Sequence, residues 1–289
     1  MSYIQMRDAK AAEDTMRKTW NELRDALSDG TLKADDIDTA LTYTFLKVFD
    51  DIFRVNKEER NCKRWLEEFD GMKFVRCARI DEGTIPPFER FIPKSEFIKE
   101  DNRFSPPGVE WLYLAWAKDM DLAKQCAQAE CRIKPGESVG LCEFETVRKK
   151  AQIFDLTIAD HHTYESINAV IDEYIASEAQ ALANQVLTKG LSPEKIASNK
   201  VIEERTREMS SLWVVFTYAR MLSSQIFVPV ETNKTYMYAP FHCMAYYFQS
   251  LGYDGIAYSS TVSDKGKNLV LFNKNDAKPI GKVSVSVCK

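Results

Sequence analysis

At 289 residues, with 45% hydrophobic and 28% charged side chains, the chain can bury one large core or two ordinary ones, as a globular protein does. Its net charge of -4, from 39 basic and 43 acidic residues with no Lys/Arg run, disfavours nucleic acid as a partner. No window approaches the roughly 18 apolar residues of a membrane span, and MSYIQMRDAK lacks a signal peptide's apolar stretch, so a cytoplasmic protein with no membrane partner is expected.

The first 70 residues read as a small helical domain ending near Gly71. Trp20, Leu23 and Leu27 form one helical stripe, closed by Gly30. Ile37, Leu41, Phe45, Phe49 and Ile52 form a second, with Asp35 or Asp36 as its N-cap. Residues 71–289 then read as a second domain. Phe74–Ile80 suits a strand, and a Pro-containing loop leads to the corner Arg103-Phe104-Ser105-Pro106-Pro107-Gly108. Further strands are expected at Trp111–Ala115, Val139–Phe144 and Ala151–Leu156. A helical insertion spans about 161–224, with a second helix starting at Ser192-Pro193. A strand at Ile226–Val230, a helix at Pro240–Leu251 and strands at Gly255–Tyr258, Asn268–Phe272 and Lys282–Val287 complete an α+β class. GxGxxG and Walker patterns do not occur.

Seven cysteines, none at CxxC spacing, and three histidines offer few ligand pairs for a metal, so none is expected. The cysteines read as reduced core residues. Cys243 beside His242 is the only local Cys/His pair, and helix neighbours face different ways, which disfavours thiol catalysis.

The chemistry-bearing candidates lie elsewhere. On the helix expected over Asp119–Arg132, about 100° per residue places Ala123, Cys126, Ala127, Ala129 and Ile133 on one arc, and Glu130 falls inside it. A carboxylate there either is a buried Glu neutralised by Arg103 or Arg79, or stabilises positive charge in a cleft. Arg76 and Arg79 fall on opposite faces of their strand, so one of them faces solvent. A guanidinium grips phosphate with a bidentate fork, which makes a pyrophosphate site reasonable. Tyr113 is either a core aromatic or a stacking face for a ring. Ser259 and Ser260 have no His/Asp context or GxSxG elbow, so a hydrogen-bonding role fits them better than nucleophilic attack.

FVRCARI, RFSPPGVEWLYLA, AECR at Ala129–Arg132, VGLCEFE, and GYDGIAYSS followed by GKNLVLF resemble, in order, the RES family, named for its Arg, Glu and Ser. The resemblance covers roughly Phe74 to Phe272. It implies an ADP-ribosyltransferase-like mixed β core and an NAD-consuming toxin of a bacterial toxin–antitoxin pair. NAD is then the substrate, no metal is needed, and an antitoxin or inhibitor protein is the implied partner. Carried over by motif, Glu130, Arg76 and Ser260 become catalytic, with Arg79, Arg103, Tyr113 and Ser259 as ligand-binding residues. Arg79 competes with Arg76 for the first family Arg, and Ser259 is the fallback for Ser260. The interval from Tyr113 to Glu130 is longer than usual, implying an extra turn or loop at Asp119–Asp121. The N-terminal helices and the insertion exceed the compact toxin and could carry a partner surface, a regulatory lid or a homo-oligomer contact.

Overall fold

The computed structural model describes residues 9–55, 62–160, 164–190, 192, 219–220, 222, 235–263 and 265–287. The Trp20 stripe winds as α1 (Ala9–Ser28), and Gly30, at φ +81°, turns the chain away from it. The second stripe forms two helices where one was expected, α2 (Ile37–Ala40) and α3 (Thr44–Asp50). Asp36 caps α2 by accepting the Thr39 N–H at 3.2 Å. The break follows because the Thr42 hydroxyl bonds the Thr39 carbonyl at 2.7 Å and Tyr43 is extended.

Next come β1 (Lys63–Trp65), β2 (Lys73–Arg79) and β3 (Leu112–Ala117), followed by α4 (Met120–Glu130). After β4 (Ser138–Thr146), β5 (Gln152–Asp155) and α5 (Tyr164–Lys189), the described chain resumes with α6 (Ala239–Ser250). The strands β6 (Gly255–Ser259), β7 (Lys267–Leu271) and β8 (Ala277–Val287) end it. Among the described residues, eight strands form one mixed sheet in the order β1-β5-β6-β7-β3-β2-β4-β8. Only the β5–β6 pairing is parallel. The α+β class expected from the pattern is what the chain adopts. The second helix at Ser192-Pro193, the strand at Ile226–Val230, His161, His162 and Cys288 lie outside the described residues. No helix among those described is long and apolar enough to cross a membrane.

Alternation along the strands sorts the core to two faces. Phe74, Leu112, Leu114, Trp116, Ile153, Leu269 and Leu271 pack together on one face. On the other, Phe154, Ile256, Tyr258 and Val270 meet Trp20, Phe45, Phe49, Phe241 and Phe248. Phe154 and Phe248 stack with ring centroids 4.0 Å apart. The N-terminal helices thus share their core with α6 and the sheet, and β1 extends the sheet itself, so the boundary expected near Gly71 marks no break in packing. Beside that cluster on the same face, Val75, Cys77, Ala115, Ala117, Val139 and Leu141 receive α4.

The middle of the sheet forks. β2 and β3 pair only over Lys73–Val75 with Ala115–Ala117. Beyond Val75, β2 stays paired with β4 through Arg79, and β3 with β7 through Leu112. Arg76 is the first residue past the last β2–β3 pair.

Candidate functional site

The end of α4 meets the ends of β6 and β7 on the face that α4 covers. Asp119 starts the helix by accepting the Leu122 N–H at 2.9 Å, so Asp119–Asp121 form its cap and first turn. Ala123, Cys126 and Ala127 are buried, as the helical phase requires. Glu130 corrects the expectation of a buried carboxylate. It is the last residue of α4 and is exposed.

One carboxylate oxygen of Glu130 is nonetheless held firmly. Glu130 Oε1 accepts from Ser260 Oγ at 2.8 Å and from Asn268 Nδ2 at 2.6 Å. Both donors are 4% exposed, so they are fixed by the core while their acceptor faces solvent. These are its partners, in place of the Arg103 or Arg79 ion pair that the apolar arc suggested. Ser260 is itself positioned from both sides. Its N–H donates to the Gly266 carbonyl at 2.9 Å, and its Oγ accepts from the Val262 N–H at 3.2 Å. Ser259 points elsewhere and donates to Asp160, which separates the two serine candidates by direction.

Gly266 lets the loop after β6 approach α4. A Cβ on it would stand 2.3 Å from Cys126 Sγ and 2.8 Å from Ser263 Oγ. Burial, with the Glu130 charge adding to it, pushes the Cys126 thiol up to about 12, which leaves it inert as a nucleophile. Tyr258 is raised far above the ordinary tyrosine range, first by burial and then by the charge of Glu130, with Arg103 acting in the opposite sense.

The Pro-Pro-Gly corner is tied to the same region through Tyr113. The Tyr113 hydroxyl accepts from the Phe104 N–H at 3.3 Å and shares a 2.9 Å hydrogen bond with Ser105 Oγ. Burial raises its pKa, so the phenol stays protonated. Its hydroxyl is committed to the loop, and only a ring face is left for a ligand. Arg103 Nη2 donates to Thr261 Oγ1 at 3.5 Å, and the guanidinium lies 5.4 Å from the centre of the Tyr238 ring.

The two candidate arginines of β2 have different fates. Arg79 is exposed and committed to the end of α4, donating to the Cys131 and Arg132 carbonyls at 3.2 and 3.0 Å. Glu137 lies 3.4 Å from its Nε. Its bonds satisfy carbonyls at the end of α4 and close the turn in which Arg132 takes φ +49°. The nearby depression of about 280 Å³ is lined by Arg79, Asp81, Glu82 and Glu137. Three carboxylates to one committed cation make it a poor seat for a pyrophosphate.

Arg76 differs. Its strand position directs it to the face away from α4, yet it stands at the mouth of the fork. Its Nη1 is buried with no hydrogen-bond partner among the described residues. Burial lowers its pKa, while Cys131 and Tyr113 from one face and Arg90 from the other act on its charge. A buried guanidinium nitrogen without an acceptor is costly and suits an arriving anion.

The structure therefore brings Glu130 and Ser260 into contact. It sets Arg103 and Tyr113 within electrostatic reach of Tyr258 beside them, and Arg76 at the fork next to Tyr113. It pairs Arg79 with the end of α4 and Ser259 with Asp160. Asn268 was missed by the sequence reading, although the signal was present: it is a polar residue on the inward face of β7, in register with Tyr258 and Ala115. Among the described residues, no group of three His, Cys, Asp or Glu side chains is arranged to hold a metal. Compared with protein-family profiles, with curated proteins and with solved structures, the chain has no match in any of the three.

Proposed function

We propose that the chain is an NAD-consuming, toxin-like enzyme on an ADP-ribosyltransferase-like fold, which cleaves the bond between nicotinamide and ribose by hydrolysis or phosphorolysis. The observation that carries this reading is the exposed Glu130 carboxylate with Oε1 held by two buried donors. Among the described residues, Oε2 has no protein partner, so one oxygen is oriented and the other is open to a ligand.

In the proposed reaction the C1′–N bond of NAD breaks and its electron pair returns to the nicotinamide nitrogen, neutralising the ring. Positive charge then builds on the ribose as an oxocarbenium ion, and Glu130 is the negative charge nearest to it. Because Ser260 and Asn268 hold the carboxylate before the bond breaks, little reorganisation is needed when charge appears. The Arg76 Nη1 and the Arg103 guanidinium supply the positive charge that a pyrophosphate needs, and the Tyr113 ring offers a face for a base or nicotinamide. Water or inorganic phosphate then adds to C1′ and loses its proton to solvent.

Purified protein incubated with NAD is expected to release free nicotinamide, and Glu130→Gln to lower that rate by about a hundredfold or more, as removal of one electrostatic stabiliser does. Equal release from both proteins would sink the role of Glu130. Added phosphate separates hydrolysis from phosphorolysis by the product formed. A second reading, transfer of ADP-ribose to a protein target, would show as label from NAD appearing on protein in a lysate. A third, a non-catalytic NAD or ADP-ribose module, would show as binding without nicotinamide. The exposed Glu130 disfavours this last reading, since a carboxylate beside a bound pyrophosphate repels it.

A further inference from the structure

Two cysteines pack in one cluster at the end of α4. Cys77 is on β2 and nearly buried, and Cys131, the residue after Glu130, is the C-cap of α4 and only half-buried. Cys131 Sγ donates to the Cys77 carbonyl at 3.2 Å. Both side chains pack in the same cluster under α4, and the Cys77 side chain lowers the Cys131 pKa more than any other influence. Arg76 and Arg79 lower it further, against burial and the charge of Glu130. By contrast, burial pushes Cys126, Cys142 and Cys243 up to about 12. A partly exposed thiol whose charge is favoured by two guanidiniums, packed beside a second cysteine, is where oxidation selects.

We propose that Cys77 and Cys131 form a reversible disulfide, and that closing it displaces Glu130 from Ser260 and Asn268 and silences the site. The disulfide itself is independent of the function proposed above, whereas the silencing rests on it. With a small-molecule disulfide such as oxidised glutathione, the Cys131 thiolate attacks one sulfur of the oxidant and expels a first glutathione thiolate. The Cys77 thiol then loses its proton to solvent, attacks the Cys131 sulfur and expels a second. The two cysteines are oxidised and one external disulfide is reduced to two thiols. A disulfide bond of about 2.05 Å is far shorter than a thiol–thiol contact, so the C-cap must move toward β2. Glu130, one residue before Cys131 on the same helix end, moves with it.

The full chain would be equilibrated in glutathione buffers of rising oxidised fraction. Remaining thiols would then be alkylated and the peptides mapped by mass. The expected result is a peptide pair joined through Cys77 and Cys131, lighter by two hydrogens and restored by dithiothreitol, with Cys126, Cys142 and Cys243 still alkylated. Nicotinamide release should fall about tenfold or more in the same fractions and return on reduction. A lasting glutathione adduct on Cys131, or linkage to a different cysteine, would overturn the disulfide. Cys77→Ala should keep its activity in oxidising buffer, and a loss equal to that of wild type would overturn the silencing. If the disulfide forms but the reduced protein never releases nicotinamide, the disulfide stands and both the proposed function and the silencing fall.

Discussion

Asn268→Ala removes the shorter of the two bonds that orient Glu130, at 2.6 Å, and leaves the Ser260 bond at 2.8 Å. A hydrogen bond to a charged group contributes about 1.5–3 kcal/mol where water is excluded. Glu130 is exposed, so water replaces part of the lost bond, and the cost to stability should be about 1 kcal/mol. The larger effect falls on the reaction. With a single donor the carboxylate can rotate out of the position that faces the ribose, and a loss of about 10- to 100-fold in nicotinamide release is expected, equivalent to about 1.4–2.7 kcal/mol. Ser260 and Asn268 act on the same oxygen, so Ser260→Ala and Asn268→Ala should not be additive, with a coupling of about 0.5–1.5 kcal/mol. Urea denaturation gives the stability part, and nicotinamide release across the double-mutant cycle gives the rest. Release within about twofold of wild type from Asn268→Ala, together with an additive cycle, would refute the idea that Asn268 orients the carboxylate.

Three further outcomes test the framework around the site. Gly266→Ala would drive a methyl to 2.3 Å from Cys126 Sγ and 2.7 Å from its Cβ, so a destabilisation of about 1–3 kcal/mol is expected in urea, together with weaker activity as Ser260 shifts. Asp50 is buried, and a bidentate bond from Arg54 at 2.7 Å, assisted by the Tyr247 hydroxyl at 3.0 Å, holds its pKa below the usual carboxylate value. That stability is present above about pH 4 and lost as pH falls through the folded-state value, so Asp50→Asn should flatten the acid limb of the urea midpoint against pH. Phe154→Ala, at the contact between sheet and helices, should cost about 3–5 kcal/mol. Its fluorescence and circular dichroism transitions should shift together, because the N-terminal helices share that core, and a transition confined to one probe would count against a common core.

Chemistry that depends on local periodicity was legible along the chain. Phe74–Ile80 suited a strand, which puts Arg76 and Arg79 on opposite faces, and the 3.6-residue period of α4 put Cys126 and Ala127 inward and singled out Glu130. Pairing between distant segments was not legible. Two of the three residues of β1, Lys63 and Arg64, are charged, and the segment forms a strand because β5 presents an edge to it. The α2–α3 break depended on one hydroxyl, Thr42, competing with the helix for a carbonyl.

From the sequence came the residue types the site needs and their phase on each element, since side-chain direction follows from helix and strand geometry alone. Tertiary structure decided where each element ends relative to its neighbours. By ending α4 at Glu130, it turned an expected buried charge into an exposed carboxylate. By ending β2–β3 pairing at Val75, it left Arg76 at a fork and gave Arg79 to the helix cap. By bringing β7 under the end of α4, it supplied Asn268, a donor some 140 residues away that no local pattern could pair with Glu130.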